Sequence, residues 1–167
     1  MTPSTTDSLA LAATIARRPP TTEFVYEAVV DIGERVSIGQ APLGERFIVP
    51  IIGGVFKGAD IEGAVLPGGA DWSVDRDGVA TLDARYVLRA DDGALIGITN
   101  RGFWRATPEV TARLDAGEPV DEREYYYRTS PVFTTESPAH RWLTETVFVG
   151  LAREDHGDVC IRFFALT

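Results

Sequence analysis

The residue types with the most chemistry to offer fall in two neighbouring blocks. In "PGGADW", Asp71 and Trp72 follow a proline and two glycines; in "TLDARYVL", Asp83, Arg85 and Tyr86 sit within four positions. A carboxyl group held away from water has a raised pKa and can exchange protons near neutrality. A guanidinium beside it can hold an enolate, a carboxylate or a developing oxyanion. Tyr86, Phe103, Trp104, Tyr126 and Tyr127 offer a flat apolar wall to a ring-bearing ligand. A tight turn has use for the glycines, and for Asp71 as an Asx-type cap. It has none for Trp72.

Other chemistries find little support. The only histidines, His140 and His156, lack a ligand-type partner two or four residues away, so no metal site is expected. They are equally poor material for a Ser-His-Asp triad. Gly53-Gly54 and Gly68-Gly69 are not followed by Lys-Ser/Thr and a helix, and the chain after Gly54 continues as β, so neither a phosphate loop nor a dinucleotide fingerprint forms. No cofactor is expected. Cys160, the single cysteine, falls on an alternating strand as a small core residue.

A net charge of -9, with scattered arginines and Lys57 as the sole lysine, disfavours nucleic acid and anionic membrane as partners. No apolar run approaches the ~20 residues of a membrane span. In "SLALAATIARR" the arginines follow the apolar stretch, the wrong order for a secretory signal. A cytoplasmic protein is expected, and a lone cysteine agrees with that.

The elements that must position these residues read as β. Residues 1–22 are expected to be a tail or a short helix over Ser8–Ala16, and residues 23–167 a single domain. "FVYEAVVDI", "FIVPII" with its Pro50 and "VFKGADIEGAVL" with its glycines read as strands; Pro67-Gly68-Gly69 reads as a turn. "VATLDARYVLRA" alternates cleanly and returns through Asp91-Asp92-Gly93 into "LIGITNRGFW". Thr107-Pro108-Glu109 caps a short helix stopped by Gly117, and Ser137-Pro138 starts a second. "YYRTSPVF" is a strand, and a C-terminal hairpin turns at His156-Gly157. This pattern, without strand–helix alternation, favours an all-β, mainly antiparallel barrel of about eight strands, closed or nearly so.

Strand Val79–Ala90 decides the site. One face carries Ala80, Leu82, Ala84, Tyr86 and Leu88; the other carries Thr81, Asp83, Arg85 and Arg89. If the charged face lines the lumen, Asp83 and Arg85 work there. If the apolar face does, they are solvated. Alternation by itself favours the second.

Several blocks resemble the family called domain of unknown function 3237, or uncharacterised protein family 0311. They are "IGQAPLGERFIVPIIGGVFKGADIEGAVLPGGADW", "DGVATLDARYVLRADDGALIGITNRG" and, more weakly, "YYRTSPVF" and "HRWLTETVFVG". The resemblance implies a single-domain β-barrel and marks Arg46, Gly53, Gly54, Asp71, Trp72, Asp83, Arg85, Tyr86, Gly93 and Arg128 as motif positions. Thr134 stands where an acid is expected, and Thr144 where an asparagine is.

On this reading the lumen is a reaction chamber for a carbonyl-bearing or aromatic metabolite. The reaction is of isomerase, cyclase or lyase type. Asp71 or Asp83 is the general acid/base, Arg85 the stabiliser of negative charge, and Trp72 the cover of the mouth. Tyr86, Tyr127, Arg46 and Arg128 bind substrate. The alternative is a carrier for a small apolar or aromatic ligand. Exposed strands such as "YYYRTSPVF" invite pairing into a homodimer.

Overall fold

The computed structural model describes residues 19–167, so the expectation for Ser8–Ala16 lies outside the described residues. Nine strands follow one another: β1 (Thr22–Ile32), β2 (Val36–Ala41), β3 (Gly44–Gly58), β4 (Glu62–Arg76), β5 (Val79–Ala90), β6 (Leu95–Arg105), β7 (Tyr126–Thr134), β8 (Phe148–Asp155) and β9 (Asp158–Leu166). They are antiparallel neighbours in the order β1-β9-β8-β7-β6-β5-β4-β3, and pairing of β1 with β3 closes the ring of eight. The short β2 flanks β3 as a ninth strand. Closure gives each of the eight barrel strands a neighbour on both sides, though β7 and β8 share only two residue pairs, and β2 keeps an open edge.

Two local expectations are corrected. "VFKGADIEGAVL" is not one strand: β3 ends at Gly58, and β4 begins at Glu62 after a turn. Conversely, Pro67-Gly68-Gly69 does not reverse the chain. It is a bulge inside β4, where pairing with β5 jumps from Leu66–Val87 to Ala70–Arg85. Gly68 has φ +106°, and a Cβ on Gly69 would stand 2.5 Å from the Arg85 carbonyl oxygen and 2.6 Å from the Tyr86 Cβ. The glycines therefore let β4 bend tightly over β5, as barrel closure requires.

Helix α1 (Pro108–Asp115) forms where its cap predicts. The Thr107 hydroxyl accepts the Val110 N–H at 3.3 Å, and Gly117, at φ +71°, follows the last turn. The segment after Ser137 is a 3₁₀ helix, Pro138–Glu145. The hairpin turn between β5 and β6 is held by the Asp92 carboxylate, which accepts the Ala94 N–H at 2.9 Å.

Side chains fill the barrel unevenly. One end is packed solid by Tyr26, Phe56, Phe133, Phe148 and Phe163, with ring centroids 4.7 Å apart for Tyr26–Phe163 and 5.0 Å for Phe133–Phe148. Leu143 of the 3₁₀ helix and Leu88 and Ile96 complete that plug. Toward the other end several inward positions are small or polar, among them Ser73, Ala80, Ala84, Asn100 and Thr129. Such side chains cannot fill a lumen sized for phenyl rings.

Candidate active site in the hollow half of the barrel

The unfilled half is a cavity of about 480 Å³, within the range of small-molecule sites. Inward positions of β1, β3–β9 and the last turn of α1 line it. Strand periodicity dictates who reaches it. On β4, Asp71, Ser73 and Asp75 face in and the residues between them face out. On β5 the inward face is Ala80, Leu82, Ala84 and Tyr86.

That register places several of the expected site residues outside the cavity. Asp83 and Arg85 lie on the outer face, where the Arg85 guanidinium donates to the Asp83 carboxylate at 2.8 Å and Arg101 at 3.2 Å. These partners hold the Asp83 carboxyl below the usual carboxylate range. Trp72 is likewise outside, 46% exposed, and does not cover the mouth. Arg46 is exposed and absent from the cavity wall. Arg128 donates to the Tyr127 carbonyl at 2.8 Å and sits by the Tyr126 ring, also outside. Asp71, Tyr86 and Tyr127 do line the cavity.

Asp71 is the most perturbed acid in it. Burial pushes its carboxyl up to about 6, and the smaller push of the Asp83 charge adds to this. One hydrogen bond works the other way: the main-chain N–H of Asp83 donates to Asp71 Oδ1 at 2.8 Å. The second block of the sequence thus serves the first through its backbone. Tyr127 and Tyr86 are pushed well above the usual phenol range by burial, Tyr127 additionally by the Asp71 and Glu154 carboxylates. Both phenols stay protonated and can donate.

A second carboxyl faces the cavity from β8. Glu154 is reached by solvent at the mouth, yet enough protein surrounds it to raise its pKa. Its own backbone N–H donates to the Tyr125 hydroxyl at 2.9 Å. This bond ties the 118–125 loop to β8 where the β7–β8 ladder has only two residue pairs.

Four buried polar atoms of residues lining the cavity have no hydrogen-bond partner among the described residues: Tyr86 Oη, Asn100 Oδ1, Trp104 Nε1 and Thr129 Oγ1. Buried polar groups are almost always paired, so four such atoms around one void call for a ligand or water. Asn100, Thr129 and Glu154 escaped the sequence reading. The available signal was a polar residue in phase with an apolar strand face: Asn100 after Ile96 and Ile98, Glu154 after Phe148, Gly150 and Ala152.

The family model for proteins of unknown function DUF3237 matches residues 20–166. The chain belongs to the DUF3237 family. Among its DUF3237 relatives, a protein of family UPF0311 from Rhodopseudomonas palustris is 40% identical over 138 residues, covering 82% of this chain and 90% of the relative. The crystal structure of that protein superposes with a TM-score of 0.83 at 36% identity, covering 90% and 99% of the two chains. A Clostridium acetobutylicum relative, also of family UPF0311, is 37% identical over 147 residues, covering 87% of this chain and 93% of its own. More distant is a hydroalkoxylation enzyme of Penicillium herquei, 29% identical over 97 residues, or 58% of this chain and 63% of that enzyme. A crystal structure of an enzyme from the same fungus shares the fold, with a TM-score of 0.68 at 22% identity over 90% of this chain and 96% of its own. Among the described residues no helix of this DUF3237 protein is long and apolar enough to cross a membrane.

Proposed function

We propose that this protein is a small-molecule enzyme of isomerase or cyclase type, with the hollow half of the barrel as reaction chamber and Asp71 as proton donor and acceptor. The observation that carries the reading is the placement of Asp71, a carboxyl whose pKa burial raises to about 6, inside a barrel cavity whose wall also holds unpaired polar atoms. The distant likeness to a hydroalkoxylation enzyme supports the same reaction class, addition of O–H across a carbon–carbon double bond. Such a step balances without a redox change. The protonated Asp71 carboxyl gives its proton to one alkene carbon, a hydroxyl oxygen of the substrate bonds to the other, and the hydroxyl proton returns to the Asp71 carboxylate. Tyr86, Asn100, Tyr127 and Thr129 orient the oxygen functions of the substrate, and the Ala-lined wall admits its rings.

The test is a thermal-shift screen of aromatic and polyketide-like alkenols and enones, followed by product analysis, on wild type and Asp71→Asn. A ligand at a hundredfold excess over its Kd stabilises by about 2.7 kcal/mol. The expected result is ligands that stabilise both proteins but are converted only by wild type. Binding by both with conversion by neither makes the chamber a carrier site.

A further inference from the structure

The chamber has a sign. Its wall holds five acidic side chains, Asp71, Asp75, Asp115, Glu154 and Asp158, against a single cationic one, Arg35. Arg35 is itself engaged, its guanidinium carbon 3.3 Å from the centroid of the Phe47 ring. The guanidiniums able to grip an anion are elsewhere: Arg85 and Arg101 are spent on Asp83 outside the barrel, and Arg128 on the Tyr127 carbonyl. The acids are also not a metal cluster, because no three His, Cys, Asp or Glu side chains among the described residues are grouped to hold an ion. Among them the cavity presents the aromatic residues Tyr86, Trp104 and Tyr127. That the void is a ligand site rests on a separate fact. Tyr86 and Asn100, 5% and 2% exposed, line it with a hydroxyl and an amide oxygen that have no partner.

We propose that the chamber selects an uncharged or cationic, ring-bearing substrate, rejects carboxylates and phosphates, and stabilises positive charge developing on the reacting carbon. Carboxyl groups and ring faces both attract a cation in a site of low dielectric, and neither tolerates an anion. The second half of this proposal rests on the reading of Asp71 as proton donor. It orders that step: the proton leaves Asp71 first, the cationic carbon forms between acids and rings, and the substrate oxygen then closes on it. No guanidinium of the described wall stands in for the Arg85 expected to stabilise an oxyanion.

The first half is tested by binding alone. Three probes of one skeleton are titrated by calorimetry: 2-naphthylmethanol, 2-naphthoate and (2-naphthylmethyl)trimethylammonium. The expected order is ammonium tightest, alcohol next, and carboxylate at least tenfold weaker than the alcohol. Glu154→Gln should narrow the ammonium-to-carboxylate ratio several-fold, as should raised salt. A carboxylate binding as tightly as the ammonium overturns the proposal, and so does the failure of all three probes to bind. No conversion by wild type, or conversion retained by Asp71→Asn, with this order intact would instead count against Asp71 chemistry, so the two readings fail separately.

Discussion

Replacing Asp71 with asparagine removes a charge from the least hydrated carboxyl of the chamber while keeping an oxygen for the Asp83 N–H that donates to it at 2.8 Å. The folded-state pKa is raised from 3.8 to about 6. The folded chain therefore holds the proton between those values while the unfolded chain has lost it, and stability falls as pH rises through this window. Two pKa units at ~1.4 kcal/mol each put the burden of the ionised carboxylate at about 3 kcal/mol at pH 7.5, shrinking to about 1 kcal/mol at pH 4.5. Asp71→Asn should thus be more stable than wild type at pH 7.5 by up to about 3 kcal/mol, several degrees in Tm for a chain of this size. Urea unfolding of both proteins from pH 4.5 to 8 reads the difference directly, since groups common to both cancel. A stability difference that does not change with pH would refute the reasoning, because it would mean that the carboxyl is not desolvated by the fold. The same residue should lose activity with no loss of stability, the signature of a strained functional group.

Other consequences follow from the same geometry. If Asp71 is the proton donor, kcat/KM should fall about tenfold per pH unit above about 6, and Asp71→Asn should abolish the step, as pH–rate profiles would show. Asp83→Asn, outside the barrel, should cost less than about 1 kcal/mol and leave turnover intact, since the Asp83 N–H that Asp71 accepts is untouched. What stability the depressed Asp83 pKa adds is present above the ordinary carboxylate range and lost as pH falls through the folded value. Tyr86→Phe removes a buried hydroxyl without a partner, so the ligand-free protein should be unchanged or up to about 1 kcal/mol more stable in urea, while ligand affinity drops. Gly69→Ala places a methyl against the backbone of β5 and the base of Tyr86, at a cost of roughly 1–3 kcal/mol by denaturant titration.

Alternation in the chain determined the class of fold and the existence of two faces on every strand. The cap at Thr107 and the turn at Asp91–Gly93 were legible for the same reason: local backbone geometry demands particular residues at particular positions. Asp71, Tyr86 and Tyr127 could be named because few other groups in the chain do acid/base and ring-binding chemistry. Which face of β5 looks inward was decided by tertiary structure. Period two is symmetric, and only closure of β1 on β3 and the bulge at Pro67–Gly69 fix the side on which Ala80, Ala84 and Tyr86 meet their partners. The same parity put Asp71 inside and its neighbour Trp72 outside, though the two looked like one motif. The chamber itself is equally non-local. It exists because several residues far apart in the sequence are small or polar at one end of the lumen while a cluster of aromatic rings packs the other solid, and only the assembled barrel sets those residues side by side.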